Sequence, residues 1–315
     1  MAEITGAELD AILSGDPDEL GVHLHLVERD IMIDGHKVAV YCHCLTTDGN
    51  GKVKIKRLAE FMRHAAADYA IPRTRIEEAR ARDEKFRSTS AVAALHEKAR
   101  AVFTDLAKTG EGGEMLLFLL AERFLRIPHV LCKMDLKTDS RMHYHGADGV
   151  YASVSDEGKL KLFWGESKIY KDSTNAIRDC ISSLAPFLIE EDHLGSSRER
   201  DLVLLSDKAD LGDPELSSAF RRFFDTSSPL SNRVEYCGVA LVGFDADFYP
   251  GDDGQGVLED MVKAAKKDLE GWSTSVGRRL TDEKLQHFDI HFLCLPLPSV
   301  DKFREAFLEA MGANV

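Results

Sequence analysis

The sequence predicts an α/β protein, a mixed sheet flanked by helices, preceded by an N-terminal α+β lobe. Three features predict it. The last quarter alternates, with strand patterns at 234–244 and 287–295 and helical patterns at 256–272 and 300–311. The middle reads as a helix at 114–126, strand-like segments at 129–134, 147–154 and 160–170, then a helix at 174–188. The front mixes short alternating runs with charged helical stretches. Strands interleaved with helices in one unit pack as a sheet under helices, because each helix must hide an apolar stripe.

Taken in order, residues 1–20 read as a short helix and a turn at Gly15-Asp16-Pro17. His23–Val27 and Lys37–Leu45 alternate around Asp34-Gly35, a hairpin pattern. Asp48-Gly49-Asn50-Gly51 is a second turn. A helix is expected over 57–70, stopped near Pro72, and helical propensity continues through the charged stretch 74–108. The run KTGEGG, Lys108 to Gly113, is a natural break, so the chain divides into a lobe at 1–108 and a second domain at 109–315. Pro128 ends the apolar helix, 201–206 reads as a strand, and 213–225 as a short helix.

The 315 residues are 44% hydrophobic, enough for a large core, and no apolar run approaches the roughly 20 residues of a membrane span. The acidic N-terminus lacks the basic-then-apolar order of a secretion signal, so a cytoplasmic protein is expected, with the six cysteines as free thiols. The net charge of -14 excludes tight, non-specific binding to nucleic acid by the whole surface. A nucleic-acid enzyme of this charge needs a local basic surface, a metal ion or a partner that delivers the substrate. Arg73, Arg75, Arg80, Arg82, Lys85, Arg87, Lys98 and Arg100 crowd one segment, but five acidic residues are interleaved, as on a solvated helix face.

Three segments carry chemistry. In the strand Lys159 to Tyr170, side chains alternate, so Leu160, Leu162, Trp164, Glu166 and Lys168 share a face. That face is apolar until it reaches a carboxylate and an ammonium side by side, which must be paired, solvated or bound to metal. In HGADGVYASV, Asp148 lies between Gly146 and Gly149, and the turn at Asp156-Glu157-Gly158 makes its strand the neighbour of the first. On the 114–126 helix, Glu114 shares the stripe of Phe118, Ala121 and Leu125. Acidic helix, Asp strand, Glu-x-Lys strand, helix is the order of the PD-(D/E)XK nucleases, whose core is a restriction-endonuclease-like mixed sheet. Hard oxygens suit Mg²⁺ or Mn²⁺. Asp148 and Glu166 are expected as direct ligands, Glu114 as a further ligand directly or through water, and Lys168 as the group that orients water or offsets phosphate charge.

Each residue also has a plainer reading. Glu166 and Lys168 can be an ion pair at a strand end, Asp148 a turn residue, and Glu114 an acid complementing the helix dipole. His143 and His145, just before Asp148, can line the site or serve as loop polar groups. His23, His25, Cys42 and Cys44 have the spacing one face of a hairpin produces, rather than that of structural zinc.

The stretches GEGGEMLLFLLAERFL, HYHGADGVYASV and LFWGESKIY resemble the HamA family, the nuclease subunits of the Hachiman anti-phage defence system, most clearly over 110–185. The resemblance implies a magnesium-dependent deoxyribonuclease with Glu114, Asp148, Glu166 and Lys168 as its motif residues. It also implies a HamB-like superfamily 2 helicase as partner, with DNA delivered by that partner and no membrane association. Two other readings remain open from the residues: a non-catalytic regulatory subunit that docks on and restrains a helicase, and a carboxylate hydrolase acting on small substrates.

Overall fold

The computed structural model describes residues 4–103, 110–134, 146–189, 196–251 and 254–312. Two short helices open the chain, α1 (Gly6–Asp10) and α2 (Pro17–His23). Thr5 closes a capping box with Glu8 on the first, and Asp16 caps the second ahead of a proline that needs no amide partner. Strands β1 (Leu24–Met32) and β2 (Val38–Leu45) form the expected antiparallel hairpin.

The helix expected over 57–70 is two helices, α3 (Ile55–His64) and α4 (Ala66–Ala70), which meet at Ala65. The charged stretch also divides, into α5 (Arg73–Phe86) and α6 (Ser90–Ala101). Arg87 turns left-handed (φ 52°) between them, and the Asp83 carboxylate accepts the amides of Ala91 and Val92, capping the second helix from the first. The apolar helix α7 (Glu111–Leu119) runs into a wide π turn, Leu120–Phe124, that carries the charged pair Glu122 and Arg123 into the interior.

Next come β3 (Gly149–Val154), β4 (Leu160–Ile169), α8 (Ser173–Ile189), α9 (Ser197–Lys208) and α10 (Pro214–Arg221). The alternating end of the chain gives β5 (Val234–Asp245), α11 (Leu258–Asp282), β6 (Ile290–Leu297) and α12 (Val300–Met311). The long helix runs ten residues beyond the expected end at 272.

Two expected strands are corrected. Residues 129–134 form no strand: His129 makes one isolated bridge to Tyr151, and the chain then leaves the sheet so that Lys133 can reach Asp201. Residues 201–206 belong to helix α9. The run DLVLLS is too short for periodicity to separate strand from helix. The deciding signal is Ser196, whose hydroxyl accepts from Glu199 N at 3.0 Å, an S-x-x-E start. The buried stripe of this helix, Arg198, Asp201 and Leu205, is mostly charged, which hid its helical period.

The six strands among the described residues join one sheet in the order β1-β2-β6-β5-β4-β3. Its hairpin edges are antiparallel, and the β2–β6, β6–β5 and β5–β4 pairs are parallel. The parallel centre is covered on both faces, as such sheets require. On one side α8 packs on β4 and β5, with Trp164 5.3 Å from Phe187. On the other lies α7, whose Leu117 and Gly113 rest against Gly165 and Ile169. Helix α12 backs α7 and packs on α3. Because β2 pairs with β6, the sheet crosses the expected domain boundary at 108/109, and the front hairpin completes the same sheet that holds β3 and β4. No helix among the described residues is long and apolar enough to cross a membrane.

Candidate active site

The end of β4 is where the apolar core stops. Leu160, Leu162 and Trp164 are fully buried, and the next two residues on that face are Glu166 and Lys168. Glu166 is 4% exposed, with its carboxylate 3.1 Å from the Lys168 ammonium. Burial pushes the Glu166 carboxyl up to about 8, and the neighbouring Asp148 adds to the rise against the pull of Lys168. Burial works against the Lys168 ammonium, but Glu166 and Asp148 outweigh it and hold the group above its ordinary range. It is a permanent cation.

Asp148 stands immediately before β3, its amide bonded to Gly165 O at 2.8 Å. Its carboxylate folds across the end of β4 and accepts both the amide and the hydroxyl of Ser167, each at 2.8 Å. Glu114 approaches from the other face of the strand, on the first turn of α7. Tyr69 of α4 donates its hydroxyl to Glu114 at 3.1 Å. That approach needs Gly113, because a Cβ there would lie 2.9 Å from Ile169 and 3.1 Å from Ser167 Oγ.

Glu114, Asp148 and Lys168 line one cavity of about 360 Å³, together with Ser167, Tyr170 and a wall from α12. Glu166 is not among the lining residues; it sits behind Lys168, in the buried part of the site. The carboxylates of Asp148 and Glu166 are hard oxygen donors of the kind Mg²⁺ takes. Among the described residues no three His, Cys, Asp or Glu side chains are grouped to hold a metal ion. His143 and His145 lie outside the described residues.

A family model described as HamA matches residues 22–311 of the 315, from the end of α2 to the end of α12. The chain belongs to the HamA family. Membership makes it a component of a Hachiman system. The match takes in every strand of the sheet, so the front hairpin is part of the HamA unit, although its sequence carried little of the resemblance. No curated protein matches the chain.

Two supports of the HamA-family site had no signal in the motif. Lys133 donates to Asp201 at 2.6 Å and to Ala147 O at 2.8 Å, and Asp201 accepts the Ala147 amide at 3.1 Å. Asp201 is fully buried, so this ion pair clamps both backbone groups of the residue preceding Asp148. Gly146 is required beside it, since a Cβ there would lie 2.6 Å from Asp201 Oδ1. Asp201→Asn, which weakens the clamp while keeping its shape, is expected to lower any activity that depends on Asp148 about tenfold, with a smaller loss in melting temperature. Rates and thermal melts of the purified variant check this.

The position of Glu166 has a consequence for stability. Its folded-state pKa of about 8 lies above the ordinary 4.5, so between those values the folded chain keeps a proton that the unfolded chain has released. Stability therefore falls as pH rises through that window. Glu166→Gln is expected to flatten the slope, and thermal melts from pH 4.5 to 8.5 in a chelating buffer read it directly. Parallel slopes in both proteins would remove Glu166 as its source.

Proposed function

We propose that this HamA-family chain is the DNA-cutting subunit of its Hachiman complex, a divalent-metal phosphodiesterase controlled by a helicase partner. The observation that carries the reading is the buried Glu166–Lys168 pair set beside Asp148 at the end of a core strand. Charges are costly to bury without purpose, and a purely structural pair has no need of a second carboxylate pushing its own carboxyl towards neutrality.

The residues fit a divalent cation that takes two protein carboxylates and keeps its waters, the habit of Mg²⁺ and, with similar ligands, Mn²⁺. Asp148 and Glu166 would hold it, with Glu114 joining through water. When bound, such an ion polarises the phosphoryl oxygens and makes a neighbouring water more acidic. Lys168 faces the negative charge that builds on the phosphoryl group as water adds in line and the leaving oxygen departs. Ser167 fixes one oxygen of Asp148, and Tyr69 fixes Glu114, so both carboxylates are oriented before substrate arrives. The net charge of -14 fits a division of labour in which a helicase holds the DNA and this subunit cuts it.

The test is degradation of plasmid and linear DNA by the chain alone and with its helicase and ATP, in Mg²⁺ and in excess chelator. Cutting is expected only with metal, weak for the chain alone at physiological salt, and strong with the partner. Absence of cutting in every arm, or cutting that persists in chelator, overturns the reading.

A further inference from the structure

The cavity holds a cation that the four-residue motif does not include. Arg304 lies on α12 and lines the same space as Glu114, Asp148 and Lys168. The two cations are differently engaged. Lys168 is turned towards the Glu166 carboxylate at 3.1 Å. Arg304 donates through Nη2 to the carbonyl oxygen of Ile169, at 2.6 Å, and that acceptor is neutral. Among the described residues the carboxylate paired with it is Asp301, at 3.9 Å, whose other oxygen is taken by Lys171 at 2.5 Å. The guanidinium is thus held by a neutral oxygen and only loosely paired with a carboxylate, and its side chain is 45% exposed. A guanidinium has five donors in a rigid fork, so one bond to Ile169 leaves most of them for an oxyanion.

The surroundings strengthen that charge. Phe303 and Phe307, neighbours on the same helix, form a buried apolar wall of the cavity. A low-dielectric wall beside a cation focuses its field into the open side. On a chain of net charge -14, such a local positive point is what allows a polyanion to approach an acidic site.

We propose that Arg304 is a substrate-binding residue that grips a non-bridging oxygen of the DNA backbone, one phosphate removed from the bond over Asp148 and Lys168. The inference rests on the nuclease reading and adds a named phosphate contact to it. Because Ile169 adjoins Lys168 in β4, the bond from Arg304 to Ile169 O ties this anchor to the catalytic strand and fixes the register of substrate on the site.

The test is binding of a short fluorescent DNA duplex to the full-length chain in chelator, over a series of salt concentrations, with Arg304→Gln and Arg304→Lys alongside. Arg304→Gln is expected to weaken binding about tenfold at low salt and to reduce the slope of log affinity against log salt by about one, the signature of one lost phosphate contact. Arg304→Lys is expected to keep that slope, and both variants to keep the wild-type melting temperature. Wild-type affinity and slope in Arg304→Gln overturn the inference. So does an equal, salt-independent loss in both variants, which marks a structural role. If the wild-type chain binds no duplex, the inference also fails, and cutting measured separately in Mg²⁺ with the helicase shows whether the nuclease reading stands without it.

Discussion

Lys168→Ala is expected to reduce metal-dependent DNA cutting by at least about a hundredfold, the loss typical of removing one preorganised charge from a reacting centre. The structure makes this variant more damaging than the loss of a single cation. Lys168 is the counter-charge that opposes the upward push of burial and Asp148 on the Glu166 carboxyl. Without it, Glu166 holds its proton more tightly and would yield it to a metal ion less readily. Glu166→Gln should therefore reach a similar floor, and the double variant should lose little more than either single one, because the pair acts as a unit. Protonation of Glu166 relieves the unpaired charge, so the fold is retained. Initial rates on linear DNA, with thermal melts as control, decide the matter. Wild-type cutting by Lys168→Ala would remove Lys168 from the reacting centre.

Glu122→Ala is expected to produce the largest loss of stability, about 3–5 kcal/mol, as for other buried ion pairs deprived of one partner. Glu122 is fully buried in the π turn after α7. It receives Arg73 of α5, the hydroxyl and amide of Ser14, and the amide of His129 at 2.7 Å. Arg73 in turn reaches Ile12 O and His129 O. One carboxylate thus ties the first segment of the chain, the charged helix and the approach to β3 onto the apolar helix. Adding Arg73→Met to Glu122→Ala should cost less than the sum of the two single losses, because the second substitution removes a charge the first left stranded. Chemical denaturation of the four proteins measures the coupling, and strict additivity would rule out the ion pair as the source.

The fold was legible where periodicity was long and unmixed. The terminal strand-helix-strand-helix run and the hairpin at β3 and β4 read correctly because apolar residues there follow one period over many positions. What failed to read were segments whose inward residues are charged. Arg198 and Asp201 disguise α9, and Lys133 gives 129–134 a strand-like alternation although it leaves the sheet. Joining the front hairpin to β6 is a contact between distant parts of the chain, which no local pattern reports. In the site, spacing alone paired Glu166 with Lys168. Asp148 against Ser167, Tyr69 against Glu114 and the arrival of Arg304 are tertiary events, and their residue types are too common in a sequence to stand out. The basic segment shows the same limit from the other side: Arg73, counted there as surface charge, is spent on the interior.

The strand order sets a timetable for synthesis. β6 is made after the other five strands of the sheet, yet it lies between β2 and β5, with Val38 beside Ile290 on one side and Gly238 beside Ile290 on the other. Until it emerges from the ribosome, the first hairpin and the β5-β4-β3 half expose open edges and cannot pair with each other through the sheet. Such distant parallel pairing folds slowly and leaves strands vulnerable to wrong partners. The same delay is protective. α12, which carries Arg304 and closes the cavity, follows β6 and can dock only once the sheet is whole. A chain that stalls before residue 300 would hold Asp148 and Lys168 without the wall that closes their pocket, so the site is whole only once α12 has been made.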